Sequence, residues 1–227
     1  GDIDIAKTKN LVQQYFGPIS RGEDIVRNYP EEEPITQEIR EKAYDKNIQI
    51  PASIVAYRTP GFRERDAYVL DMISTYLSDG KSSKLYKKLV DEQKQALQVG
   101  AFNISQEDYG MYVVFSLPVG ETPLGTLETE IEEEISKLRM GLISERDFQK
   151  LQNKFENNFV NSNSSVQGIA NSLARYYMLY GDTSLINKTI DIYRSVTREE
   201  IRDVAIRYLK PTQRAIIEYL PEEKMDN

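Results

Sequence analysis

Two short patterns that are known from catalytic and nucleotide-binding sites overlap at residues 78–82, which read Ser-Asp-Gly-Lys-Ser. Gly80-Lys81-Ser82 matches the end of a phosphate-binding loop, and Ser78 with Lys81 matches the Ser-x-x-Lys pattern of some acyl-transfer enzymes. The phosphate loop also requires an earlier glycine, and Thr75 stands at that position inside a segment with helical periodicity. The Lys-Thr-Gly triplet that accompanies Ser-x-x-Lys is absent from the sequence. We therefore interpret these residues as a turn and the start of a helix.

The complete absence of His and Cys removes most of the side chains that enzymes use for chemistry. Without them the chain has no imidazole acid or base, no Ser-His or Cys-His nucleophile and no usual zinc ligand set. The acidic run Glu31-Glu32-Glu33 offers carboxylates for a cation that prefers oxygen ligands. Side chains of consecutive residues do not converge on one point, so we interpret this run as a solvated spacer. The chain alone is therefore expected to be inactive.

Composition narrows the partners that the chain can have. Its 227 residues are 40% hydrophobic and 29% charged, which is typical of a globular protein. The net charge is −7, and the basic residues are interspersed with acidic ones, so no basic face is expected and nucleic acid is excluded as a partner. No apolar run approaches the roughly 18 residues of a membrane span.

Hydrophobic periodicity and turn residues predict an α+β fold. Strand patterns, helix patterns and a final strand follow each other without an internal repeat. This order predicts an antiparallel or mixed sheet packed on one face by helices. The predicted elements are a helix at 4–16, a linker at 17–34, strands at 40–47 and 52–58, a helix at 65–77, a helix capped by Ser82 or Ser83, strands at 97–104 and 111–117, helices at 124–138, from Ser144, at 164–180 and after the capping box Thr197–Glu200, and a strand at 215–220.

Several of these segments resemble the second, non-catalytic domain of the pitrilysin-type zinc metallopeptidases, the family of insulinase and the mitochondrial processing peptidase. Gly1-Asp2-Ile3-Asp4 before a helix that ends in Tyr15-Phe16-Gly17 resembles the end of the family's catalytic domain. The other motifs occur in the family's order and span nearly the whole chain. They are Tyr57-Arg58-Thr59-Pro60 with Asp66, Ser82-Ser83-Lys84-Leu85-Tyr86, Phe102-Asn103-Ile104-Ser105, Asp108-Tyr109-Gly110, Tyr180-Gly181-Asp182, residues 196–201 and residues 208–211.

The resemblance implies a fold of the LuxS and processing-peptidase type and a division of the chain into two parts. Residues 1–34 are expected to be the terminal helix of a preceding catalytic domain plus a linker, and residues 35–227 the non-catalytic C-terminal domain. The family binds zinc through His-x-x-Glu-His and a distant glutamate. Because this chain has no His, we expect those ligands in a domain upstream of Gly1 and no cofactor in the chain itself.

The family resemblance also implies partners and site residues. We expect the domain to enclose an extended peptide substrate together with the catalytic domain of the same chain or of a partner chain. In some members an arginine and a tyrosine near the hairpin hold this peptide. Tyr109 and Tyr112 are the candidates for the tyrosine, whereas no arginine occurs between Arg65 and Arg139. The alternative is a structural or peptide-binding subunit of a parent without peptidase activity, and a homodimer is left open.

Overall fold

The computed structural model describes residues 1–26, 28, 30 and 33–222. It divides into two units, Gly1–Glu33 and Pro34–Asn227. The first unit contains helix α1 (Ile5–Phe16), which begins after Asp4, whose carboxylate accepts a hydrogen bond from the Lys7 amide at 2.8 Å. No residue of α1 is buried. Glu31 and Glu32 lie outside the described residues, so the acidic run remains a predicted spacer.

The second unit is built on a five-stranded sheet with the order β1-β5-β2-β4-β3. Strand β1 runs parallel to β5, and the other neighbours are antiparallel. The sheet is therefore mixed, and β1 and β3 form its edges. Its strands are β1 (Ile39–Asp45), β2 (Ala52–Pro60), β3 (Ala96–Ser105), β4 (Tyr109–Pro118) and β5 (Arg214–Pro221).

Helices cover one face of this sheet, as the sequence predicts. The helices of the second unit are α2 (Arg65–Ser78), a π-helix (Tyr86–Glu92), α3 (Leu124–Met140), α4 (Glu145–Ser162), α5 (Val166–Tyr180), a 3₁₀ turn (Thr183–Asn187), α6 (Thr189–Ser195) and α7 (Arg198–Tyr208). Ser144 caps α4, and Thr197 with Glu200 forms the predicted capping box of α7.

Alternating burial along β2 shows which face of the sheet packs against the core. Val55, Tyr57 and Thr59 are almost fully buried beneath the helices, and the residues between them are partly exposed. This period of two is what a strand with one buried face requires. α2 contributes the largest block of the core, including Leu70 and Ile73, neither of which is exposed.

The helix after Gly80 differs from its prediction. Residues Tyr86–Glu92 form a π-helix, and neither serine caps it. The Ser82 hydroxyl oxygen accepts a hydrogen bond from Lys150 Nζ at 2.5 Å, whereas the Ser83 hydroxyl is buried and has no hydrogen-bond partner within the described residues. Apolar spacing over so short a segment does not distinguish α-helical from π-helical hydrogen bonding. The turn itself is confirmed.

Candidate functional site

The sheet face opposite the helices, here called the open face, is apolar and partly exposed. Paired residues of β2, β4 and β3 place Arg58, Met111 and Ile104 in one row across it, and Ala56, Val113 and Phe102 in the next. Ile104 is 38% exposed, Met111 43% and Phe102 40%. An apolar sheet face that stays accessible is a typical surface for a bound chain.

One cation–aromatic pair lies at the end of the open face. The Arg58 guanidinium lies 3.9 Å from the centre of the Tyr109 ring. Arg58 is opposite Met111 and Pro60 is opposite Tyr109 in the β2–β4 register, so the two side chains are diagonal neighbours across paired strands. The stacked geometry suits arginine, whose planar guanidinium is attracted to the face of the ring.

Two glycines allow the β3–β4 hairpin to approach the end of β2. A Cβ atom on Gly110 would lie 2.7 Å from Thr59 Oγ1 and 2.9 Å from the Pro60 carbonyl oxygen. A Cβ atom on Gly61 would lie 2.3 Å from the Glu107 carbonyl oxygen. Because neither side has room for a side chain, Tyr109 is held against β2 by backbone packing.

A cleft of about 360 Å³ opens beside the Arg58–Tyr109 pair. Its other lining residues include Pro60, Arg207, Tyr208 and Gln213. This volume lies within the range of small-ligand pockets, about 300–1,000 Å³. Apolar rings and a few hydrogen-bond donors line it, so it suits part of a peptide or another partly apolar ligand.

Asp66, at the start of α2, organises the α7 wall of this cleft. The Tyr208 hydroxyl donates a hydrogen bond to Asp66 Oδ2 at 2.9 Å, and the Arg207 guanidinium donates to the same oxygen. Burial, together with the hydrogen bond to Asp66, raises the pKa of Tyr208. Tyr208 therefore stays a neutral donor, and its orientation is fixed by α2.

A second polar network lies beneath the end of β2. Asn103 Nδ2 donates to Asp71 Oδ1 at 3.1 Å, and the Thr59 hydroxyl donates to Asn103 Oδ1 at 3.3 Å. The Tyr193 hydroxyl donates to Asp71 Oδ2 at 3.1 Å. Burial raises the pKa of Asp71, against the opposing effect of these donors. The network ties β2 and β3 to α2 and α6, directly behind Arg58.

The structure places the two predicted tyrosines differently. Tyr109 is 41% exposed and lines the cleft. Tyr112 is fully buried under the helices, with its ring centre 6.5 Å from that of Tyr57 in an edge-to-face contact, and burial raises its pKa. Residues three apart in a strand face opposite sides of the sheet, so the spacing of Tyr109 and Tyr112 already indicates that only one of them lies on the open face. A peptide reaches Tyr112 only if the core opens.

Arg58 is the site residue that sequence reasoning missed. The family resemblance predicts this arginine close to the hairpin, but no arginine occurs between Arg65 and Arg139. The structure brings Arg58 to the hairpin from β2, which pairs with β4 along its length. The Tyr57-Arg58-Thr59-Pro60 motif contributes to the family resemblance, but the motif does not show which strand pairs with it.

The described part of the chain does not fit a metal centre. Within it, no group of three or more Asp, Glu, His or Cys side chains is placed to hold a metal ion. His and Cys are absent from the whole sequence, so the residues present do not match a zinc site. None of the described helices is long and apolar enough to cross a membrane.

Comparison with known proteins places this chain in a family. Residues 1–155 match the family model described as the peptidase M16 inactive domain. The chain therefore belongs to the peptidase M16 family, as its inactive domain, and the resemblance deduced from the sequence motifs is confirmed. This assigns a non-catalytic, peptidase-family domain to the chain.

Individual relatives agree with this assignment. The chain is 25% identical over 218 residues to the zinc protease PqqE of Helicobacter pylori, covering 94% of the chain and 48% of that protein. A protease structure from H. pylori superposes with a TM-score of 0.88 at 22% identity, over 96% of this chain and 53% of that one. An M16 inactive domain from Pseudomonas fluorescens gives a TM-score of 0.81 at 12% identity, over 98% and 52% of the respective chains. The chain thus spans about half the length of these relatives.

Proposed function

We propose that this chain is the substrate-enclosing half of a zinc-dependent endopeptidase that cleaves extended peptides. The zinc site belongs to a catalytic domain upstream, and this half supplies a surface that holds the peptide against it. Two relatives that are about twice as long, one named a zinc protease and the other a protease, support the proposal. Enclosure contributes to catalysis by positioning the scissile bond and excluding water.

The observation that supports this role most directly is the Arg58–Tyr109 pair beside the cleft. The guanidinium offers several N–H donors in one plane, which suit the carbonyl oxygens or terminal carboxylate of a peptide. The aromatic ring contributes a flat apolar contact and holds the guanidinium in place. Arg58 thus takes the part of the arginine that was missing from the hairpin segment. Tyr112 lies in the same strand as Tyr109, β4, and supports the site from the buried side of that strand.

The sheet adds contacts that do not depend on the peptide sequence. β3 is an edge strand of ten residues. The Ser78 hydroxyl bonds both the amide and the carbonyl oxygen of Ala101 in its middle, so an extended chain would pair with the rest of this edge. Phe102 and Ile104 on the open face offer apolar contacts for alternate side chains of that peptide. Recognition of backbone and apolar surface suits a peptidase that accepts many sequences.

We also propose the division at residue 34, with residues 1–34 as the last helix of the preceding domain plus a linker. Ile5 is 67% exposed, Tyr15 67% and Phe16 66%, so the apolar residues of α1 lack a covering surface. An amphipathic helix of twelve residues is marginal without a partner for its apolar face. A catalytic domain ahead of the chain would provide that partner.

The test uses the two-domain protein that contains this chain, with cleavage of an extended peptide as the readout. We expect chelator-sensitive cleavage, and none from residues 1–227 alone. Arg58→Ala should raise KM about tenfold, since hydrogen bonds to a charged group contribute about 1.5–3 kcal/mol. Arg146→Ala, which removes an exposed arginine of α4, is the matched control and should leave KM unchanged.

Three results would count against parts of the proposal. Cleavage by residues 1–227 alone would contradict a non-catalytic role. A two-domain protein that binds the peptide but never cleaves it would support the alternative, a structural or peptide-binding subunit. An unchanged KM in the Arg58→Ala variant would show that the peptide does not bind at the cleft.

A further inference from the structure

Helix α5 carries a broad apolar surface, and only one part of that surface packs against the rest of its unit. Leu173, Tyr176 and Tyr180 are half-buried against the rest of the unit. The adjoining side continues this apolar surface as a stripe at helical spacing, called here the α5 stripe, and all of its residues are exposed: Val166, Ala170, Ala174, Tyr177 and Met178. Val166 is 59% exposed, Tyr177 68% and Met178 76%. A contiguous apolar surface that stays exposed marks an interaction site.

The sequence around the α5 stripe lacks charge. Residues 157–174 contain no Asp, Glu, Lys or Arg, although 29% of the chain is charged. Arg175 is the only charged residue of α5. Protein interfaces are depleted of Lys, Glu and Asp and enriched in Tyr, Met and Arg relative to the remaining surface. The α5 stripe has the composition of an interface.

α5 is a firmly built helix despite its exposure. The Ser165 hydroxyl caps its first turn by accepting a hydrogen bond from the Gly168 amide at 3.0 Å. Gly181 ends it in the left-handed conformation, with a φ of 70°, which glycine adopts without strain. The α5 stripe is therefore a preformed surface.

Contacts at its C-terminal end place α5 beside the candidate site. The Tyr180 hydroxyl donates to the Phe62 carbonyl oxygen at 3.2 Å, and Arg63 Nη2 donates to the Leu179 carbonyl oxygen at 2.9 Å. The Phe62 amide in turn donates to the Gln106 carbonyl oxygen at 2.8 Å, in the hairpin that presents Tyr109. A domain that closes over the cleft would therefore contact the C-terminal end of α5.

We infer that the α5 stripe is the docking surface for the zinc-carrying half, which packs on it when the two halves enclose a peptide. This inference rests on the proposed function. The relatives are about twice as long as this chain, which leaves a body of similar size to cover the stripe. An uncharged stripe suits a lasting contact within one protein better than a transient encounter, because lasting interfaces are the more apolar ones.

Hydrogen exchange of the α5 amides tests this inference. We expect exchange in residues 166–178 to be at least about tenfold slower in the two-domain protein than in residues 1–227 alone, because docking suppresses local opening. Equal rates would overturn the inference. Slow exchange in the isolated chain that depends on its concentration would also overturn it, in favour of a second copy. Protection that appears only with added peptide would overturn it in favour of the substrate.

A charged variant sharpens the test. Ala174→Glu places a carboxylate in the middle of the α5 stripe while keeping a good helix former, so the helix should still form. It should return the exchange of α5 in the two-domain protein to the rate of the isolated chain. Gln149→Glu adds the same charge at an exposed position of α4 and should leave the protection intact. Protection that survives Ala174→Glu would reject docking at this stripe.

Peptide cleavage measured on the same samples separates this inference from the proposed function. Cleavage with an unprotected α5 would reject the docking surface alone. Protection of α5 without cleavage would reject the peptidase role and retain the docking surface.

Discussion

The Arg58 guanidinium is stacked 3.9 Å above the centre of the Tyr109 ring, although the two residues belong to strands β2 and β4, with two helices and a strand between them in the chain. Antiparallel pairing of β2 with β4 produces this contact. It joins a cation on β2 to the β3–β4 hairpin, at the end of the open face. The contact defines the candidate site more closely than any linear motif does.

Tyr109 variants should separate the ring from its hydroxyl. Tyr109→Ala removes the ring that holds Arg58, and a cation–π contact at an exposed site contributes about 0.5–1 kcal/mol, so the Kd for an extended peptide should rise about two- to fivefold. Tyr109→Phe keeps the ring and should change the Kd less. Fluorescence anisotropy of a labelled peptide measures both values. Equal losses for the two variants would contradict a stacking role.

Gly110→Ala should destabilise the second unit by about 1–3 kcal/mol, because its Cβ has no room against Thr59 and the Pro60 carbonyl oxygen. The free energy of unfolding in urea measures the effect. Gly125→Ala is the matched control, since nothing lies within 4 Å of its added Cβ atom. It should be neutral or stabilise α3 by up to about 1 kcal/mol. A neutral Gly110→Ala would show that the hairpin can move away from β2.

Asp71 should make stability depend on pH. Burial raises its folded-state pKa above the ordinary value of 3.8, so the folded state holds the proton more tightly than the unfolded chain does. That contribution is fully present below pH 3.8 and is lost as the pH rises through the raised pKa. The stability of wild type relative to Asp71→Asn should therefore fall with rising pH in urea unfolding. A difference that is constant across pH would exclude this linkage.

Glu128 should contribute more stability than its neighbour Glu218. Glu128 is 6% exposed and accepts hydrogen bonds from Ser53 Oγ at 2.6 Å and Arg40 Nη2 at 2.8 Å. Glu128→Ala leaves a buried hydroxyl unpaired and should cost about 1–3 kcal/mol. Glu218→Ala removes another Arg40 partner, at 3.0 Å, and should cost about 0–1 kcal/mol, as more exposed pairs do. Thermal unfolding of both variants checks the order, and the reverse order would contradict it.

Removal of residues 1–33 should leave the stability of the second unit nearly unchanged. The core cluster of the second unit begins at Val55, so removing residues 1–33 deletes none of it and should alter the free energy of unfolding by less than about 1 kcal/mol. Urea unfolding of residues 34–227 beside residues 1–227 measures this. A large loss of stability would contradict the proposed assignment of α1 to a preceding domain.

Most elements of the fold were predictable because local patterns and core packing agree. The alternation in residues 52–58 and the helical spacing in residues 65–77 both reflect one buried face, so each pattern matches its element. The π-helix was not predictable, because its hydrogen-bond register leaves no distinct mark over seven residues. The choice between an antiparallel and a mixed sheet also depended on β1, which pairs in parallel with the distant β5.

The sequence by itself determined the class of the protein and part of its site. The absence of His and Cys removed the usual zinc ligands, and the order of short motifs identified the family. Both properties depend only on the linear sequence. Only the tertiary structure decided that Arg58 stacks on Tyr109 while Tyr112 is buried. Strand pairing fixes which distant residues meet and which face each one occupies, and that register depends on the packing of the whole sheet.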